Sequence, residues 1–286
     1  LTRPLLLAAL AALAIYLYVG SRLAAPALRP VGPPPTALDA ESVHIPSQSG
    51  TILAAWFATP EHPQAAIVLL HGIGGNRVDM LPRAELLWRS GYAVLLPDLQ
   101  AHGESPGGAI TFGYLESRDA VAVVDYLHQR LPGLPVGGVG VSLGGAAFLL
   151  ASGSLDIDAL VVESVYPTIE EAVDNRIDHV VGPLSRVLTP ALLAQLRPRL
   201  GFWPSALRPI DHIGAIGCPV LVVSGGLDPH TTQAETRRLF AAAHEPKQLW
   251  LVPRAEHEDL YRFAPKVWEA TVLTFFGKHL DRLSLL

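Results

Sequence analysis

A chain of 286 residues is long enough for one α/β domain with a full core, or at most two small ones. Half of the residues are apolar, 16% are charged and the net charge is −5, so no basic tract is available to neutralise a phosphate backbone and nucleic acid is excluded as a partner. The lone Cys218 rules out an intramolecular disulfide, and with neither Cys pairs nor an H-E-x-x-H pattern no metal and no cofactor is expected.

In chain order, the first feature is an uncharged run over residues 5–19, LLLAALAALAIYLYV, with Arg3 before it and Arg22 after it. That length suits a signal-peptide core or a short signal anchor. Residues 1–22 are expected to be a membrane anchor, because Ala25-Pro26-Ala27 places Pro inside the only loose cleavage pattern; export after cleavage is the alternative. Residues 23–39, with Pro26, Pro30 and Pro33-Pro34-Pro35, read as a stiff linker that holds a domain over 40–286 off the bilayer.

Residues 42–46 and 51–58 form a hairpin around Ser49-Gly50. Residues 65–70 and 92–96 are continuous apolar strands of the kind buried on both faces of a parallel sheet. Helices are expected over 80–89, 116–131, 231–243 and 260–279, and further strands over 159–162, 219–223 and 248–252. Strands that alternate with helices imply right-handed crossovers and a mostly parallel sheet covered on both faces, an α/β fold. Residues 166–212, rich in proline, interrupt this rhythm between two strands and read as a helical cap. Phe202, Trp203 and the cap leucines are candidates for lining an apolar pocket.

Gly140-Val141-Ser142-Leu143-Gly144 lies between an apolar run and an Ala/Leu-rich helix. This G-x-S-x-G pattern is a nucleophile elbow: a sharp strand-to-helix turn whose central serine is crowded, so the positions two before and two after it must lack side chains. Ser142 is the candidate nucleophile. The helix that starts behind it favours negative charge.

The elbow, His71-Gly72, residues 98–105, Asp228 and His257, together with the order of elements, resemble the α/β-hydrolase superfamily over about residues 42–280. The resemblance implies a triad in the chain order Ser, acid, His. His257, between the last strand and the last helix, is the best-placed base, and His230 is the reserve. Asp228 follows Gly225-Gly226 in a G-G-x-D-P-H run similar to the family's acid loop; Glu163 is the alternative acid. His71-Gly72-Ile73-Gly74 resembles the family's HGxG signature, which makes the backbone N–H groups of Ile73 and Leu143 the oxyanion donors. Residues 98–105 resemble a D-x-R-G-H-G-x-S turn in which Gln100 and Ala101 replace Arg and Gly, and Asp98, His71 and His102 are read as structural.

The expected function is a serine hydrolase that cleaves an ester, thioester or amide through an acyl-enzyme on Ser142. The cap and the anchor favour a small-molecule or lipid-like acyl substrate met at the membrane. Peptidase activity is open, as are an acyltransferase with the same triad and a non-catalytic binding protein on the same fold. Nothing in the sequence specifies an oligomeric state.

Overall fold

The computed structural model describes residues 3–280; residues 1 and 2 of the expected anchor and 281–286 of the expected domain lie outside the described residues. Eleven α-helices are described: α1 (Arg3–Leu23), α2 (Leu81–Arg89), α3 (Glu116–Arg130), α4 (Leu143–Leu150), α5 (Ile169–Val181), α6 (Ser185–Leu193), α7 (Leu196–Leu200), α8 (Pro209–His212), α9 (Gln233–Ala242), α10 (Leu260–Phe263) and α11 (Pro265–Leu280). The strands are β1 (Ala27–Leu28), β2 (Glu41–Pro46), β3 (Ile52–Ala58), β4 (Ala65–Leu70), β5 (Tyr92–Pro97), β6 (His102–Gly103), β7 (Val136–Val141), β8 (Ala159–Glu163), β9 (Val220–Gly225) and β10 (Lys247–Val252).

Eight strands form one sheet in the order β10-β9-β8-β7-β4-β5-β3-β2. β3 is antiparallel to both β2 and β5, and the other pairings are parallel. The continuous apolar runs have a simple cause. Side chains alternate between faces with period two, and here both faces are covered. In β4, Ala66, Val68 and Leu70 join a core with Val123, Leu127 and Phe148 of α3 and α4. Ala65, Ile67 and Leu69 join a second core with Leu87 of α2 and Trp268, Val272 and Phe276 of α11. Each such aliphatic side chain taken fully out of water contributes about 1.5–3 kcal/mol.

The expected single helix over 260–279 is instead two. Ala264 leaves the helical region at φ −137 and ψ 61 because Pro265 follows it. The expected linker also differs from a free spacer. Ala27 and Leu28 pair in parallel with His102 and Gly103, and the N–H groups of Ala27 and Arg29 bond Ala101 O and Gly103 O, both at 2.8 Å. The N–H groups of Val31 and Gly32 bond Glu104 Oε1 at 2.9 and 3.3 Å. An extended segment keeps its backbone donors unused, and the loop after β5 supplies acceptors for them.

A buried ion cluster joins the sheet to its last loop. Arg83 of α2 donates to Glu163 from Nε at 3.2 Å and Nη2 at 2.8 Å, and it pairs with Asp259 at 2.8 Å. Trp268 Nε1 donates to Glu163 Oε1 at 2.7 Å, and the Trp268 and Tyr261 rings flank the guanidinium, both at 5.5 Å. Removing one partner strands a buried charge. Arg83→Met is therefore expected to lower unfolding free energy by about 3–5 kcal/mol, read from urea denaturation; a loss below about 1 kcal/mol would show the cluster to be idle.

Candidate active site

Ser142 sits at the carboxyl end of β7 with φ 49 and ψ −106, a conformation that strains a non-glycine residue by about 1–3 kcal/mol. Its N–H is fixed to Glu163 O at 2.7 Å. The glycine requirement is steric. A Cβ on Gly140 would stand 2.6 Å from Gly145 Cα, and one on Gly144 would stand 2.4 Å from Leu70 O. Any side chain at either position forces the turn open.

The candidate acid and the candidate base lie in the loops after β9 and β10, which are neighbouring parallel strands. Gly226 N donates to Val252 O and Leu227 N to Ala255 O, both at 2.9 Å, so the two loops are laced together. His257 Nδ1 lies 2.7 Å from Asp228 Oδ2. A carboxylate only accepts, so Nδ1 carries the proton and Nε2 is free to act as a base. The other oxygen of Asp228, Oδ1, accepts the N–H groups of His230 and Thr231 at 2.8 and 2.9 Å, and Thr231 Oγ1 donates to Oδ2 at 2.6 Å. Asp228 therefore shapes its own turn as well as holding the imidazole.

His230 does not take that place. Its ring stands 5.4 Å from the His257 ring and its buried Nδ1 has no partner among the described residues. Glu163 is committed to Arg83 and Trp268. Asp259 ties the His257 loop to that cluster while capping α10 through Tyr261 N and Arg262 N.

Ile73, Ser142 and Leu143 line one cavity of about 270 Å³. Neither the Ile73 nor the Leu143 N–H has a hydrogen-bond acceptor among the described residues. Ser142 Oγ has no hydrogen-bond partner among them either, a common state of such sites before substrate tightens them. The loop that carries Ile73 is held by two neutral histidines. His71 donates from Nδ1 to Gly72 O at 2.8 Å and accepts Leu99 N–H on Nε2 at 3.1 Å; burial above all, with His102 and Arg77 close by, lowers its pKa to about 3. His102 accepts the Gly74 N–H at 3.1 Å.

Phe112 adds to the cavity wall, and the rest is cap and, unforeseen from sequence, the end of α1. Gly20, Leu23 and Ala24 line it opposite Leu193 and Leu196. Tyr16 Oη donates to Ala191 O at 2.8 Å, Gln195 Nε2 to Tyr16 O at 3.0 Å and Arg199 Nη2 to Leu17 O at 2.5 Å. Phe202 and Trp203 do not line the cavity: Phe202 stacks on Tyr114 at 4.3 Å and Trp203 is exposed beneath Arg197.

Burial alone would push the Asp228 carboxyl up, but the hydrogen bond and charge of His257, with the bonds from Thr231, hold it below the usual carboxylate range. A depressed folded-state value gives stability that is present above the unfolded value and lost as pH falls through the folded one. The stability gap between wild type and Asp228→Asn is thus expected to be full above about pH 4 and to shrink below it, measured by denaturant unfolding across pH. A gap that is the same at pH 7 and pH 2 would contradict an ionised Asp228 held by these bonds.

A family described as serine aminopeptidase, S33, matches residues 61–211, just over half of the chain. The uncharacterized protein YqkD of Bacillus subtilis is 26% identical over 241 residues, which are 83% of this chain and 79% of YqkD. The uncharacterized protein Rv2307c of Mycobacterium tuberculosis is 29% identical over 236 residues, covering 80% and 77%. Among solved structures, the Pyrococcus furiosus esterase Pf2001 superposes with a TM-score of 0.74 at 20% identity over 89% of this chain and 99% of its own. The hypothetical protein PA2218 of Pseudomonas aeruginosa superposes with a TM-score of 0.70 at 21% identity over 88% and 97%. At those identities the structural likeness speaks for the fold, and the family match speaks for descent. The chain belongs to that family, within the α/β-hydrolase superfamily.

Proposed function

We propose that this hydrolase is a serine esterase or thioesterase acting on a hydrophobic acyl substrate, with Ser142 as nucleophile, His257 as base and Asp228 as the acid that orients it. The observation that carries the reading is the 2.7 Å bond between Asp228 and His257 Nδ1 at the same sheet edge as a serine held at φ 49. Ser142 Oγ attacks the carbonyl carbon while its proton passes to His257 Nε2. The imidazolium so formed is stabilised by Asp228. The oxyanion takes the Ile73 and Leu143 N–H groups, each worth about 3–4 kcal/mol in the transition state. His257 then protonates the leaving group, water attacks the acyl-enzyme through the same base, and the acid is released.

The cavity favours acyl chains over peptide amino termini. An aminopeptidase needs a carboxylate near the scissile bond to bind the substrate ammonium. The lining of the Ser142 cavity has no Asp or Glu, and its charged members are Arg176 and Arg199. Leucines of α6 and α7 and Leu23 of α1 supply an apolar wall. α1 is 21 residues long and apolar enough by length and composition to cross a membrane, which fits an anchor that keeps the enzyme near lipid-derived substrates.

Ser142→Ala is expected to abolish fluorophosphonate labelling and to lower kcat on p-nitrophenyl esters by about 10⁴-fold or more. Labelling that persists in the variant would exclude Ser142 as nucleophile. Across a chain-length series, kcat/KM is expected to rise from acetate to octanoate as more of the acyl chain fills the cavity, by up to about tenfold for each two carbons buried. A maximum at acetate would contradict the hydrophobic-substrate reading.

A further inference from the structure

The cavity beside Ser142 is apolar along most of its wall, and its charged members are both cationic. Arg176 reaches into it from α5 and Arg199 stands at its exposed rim on α7. Arg199 is occupied by Gln195 Oε1 and Leu17 O. Arg176 is not. Among the described residues its one hydrogen bond runs from Nη1 to Ala172 O at 2.8 Å, one turn back on its own helix, and no carboxylate lies within 4.0 Å of it. A guanidinium has five donors in a planar fork suited to phosphate or carboxylate, and a half-buried one that lacks an anion has lost hydration without replacement. Burial does pull its pKa down, with only partial compensation, chiefly from the charge of Asp228. The same guanidinium helps depress His230, after burial, so it lies within electrostatic reach of the acid and base loops. A cation in that position, facing the nucleophile's cavity with no carboxylate in direct contact among the described residues, is one whose pairing anion arrives with the ligand.

We propose that Arg176 is a specificity residue that binds an anionic group, phosphate or carboxylate, carried by the acyl substrate close to its scissile bond. The proposal rests on the hydrolase reading given above. The substrate is then an amphiphile: an apolar chain lies along the α6, α7 and Leu23 wall while its charged group pairs with the Arg176 fork. The anion belongs either to the alcohol part, as in an acylated glycerol phosphate, or to the acyl part, as in the half-ester of a dicarboxylic acid.

Two matched pairs separate these sources: octanoylglycerol phosphate against octanoylglycerol, and p-nitrophenyl 2-carboxyoctanoate against p-nitrophenyl octanoate. Wild type is expected to prefer the anionic member of one pair by tenfold or more in kcat/KM, and that pair names the source of the charge. In Arg176→Gln the anionic-to-neutral ratio is expected to fall about 10- to 100-fold, chiefly through KM, and Arg176→Lys is expected to retain more of it. A wild type indifferent to charge in both pairs overturns the proposal without recourse to any variant. So does an Arg176→Gln enzyme that loses both members of the preferred pair equally, since that marks a structural role. Wild type that turns over none of the four esters rejects the hydrolase reading itself.

Discussion

The site depends on a backbone constraint before it depends on any side chain. A serine at φ 49 between the end of β7 and the start of α4 has its hydroxyl at the sheet edge only if the chain turns within one residue. That turn brings Gly140, Gly144 and Gly145 into contact distances that no Cβ tolerates. The strain is local, and the cost is offset by burial of α4 between α3 and the sheet, where Ala146, Ala147, Phe148 and Leu149 are all fully enclosed. A relaxed turn would place the same hydroxyl elsewhere, away from the Leu143 N–H that begins the helix.

The second requirement is that loops far apart in sequence reach this point with fixed orientation. Parallel strands deliver them to one edge, but loops are the least rigid part of such a sheet. Here each is fastened by buried polar groups. His71 and His102 hold the Ile73 loop, Asp228 caps its own turn, and Asp259 ties the His257 loop to Arg83 and so to Glu163 at the end of β8. A bridged set of charges is weak evidence for stability in general. In this protein Asp259 lies two residues from His257 and the Glu163 carbonyl holds the Ser142 N–H, and geometry is what the set secures.

The sequence disclosed those parts whose physics is local. G-x-S-x-G has a steric reason at each fixed position, and the runs of β4 and β5 have the composition that burial on two faces demands. The break in the helix near Ala264 is also legible, since Pro265 carries its signal. The ion cluster was not: Arg83 and Glu163 are 80 residues apart, and Glu163 and Trp268 are 105 apart, and no local pattern encodes their meeting. The Pro-rich stretch announced an extended backbone but not the loop against which it lies. Phe202 and Trp203 announced burial in the cap, and only the tertiary contacts decided that one stacks on Tyr114 and the other faces solvent. The union of α1 with the cavity wall belongs to the same class, because an apolar helix looks alike whether lipid or protein covers it.

The attachment of α1 to the cap has a geometrical result. At Tyr16 and Leu17 the helix is bonded to Ala191 of α6, to Gln195 and to Arg199 of α7, so this part of α1 is held against the cap. A bilayer that accommodates the whole of α1 must also admit the neighbouring rim of the cap, where Val180, Leu184 and Val187 are uncovered. For an α1 set in a bilayer, the depth of immersion and the height of the cavity mouth are one variable, set by where Tyr16 meets Ala191.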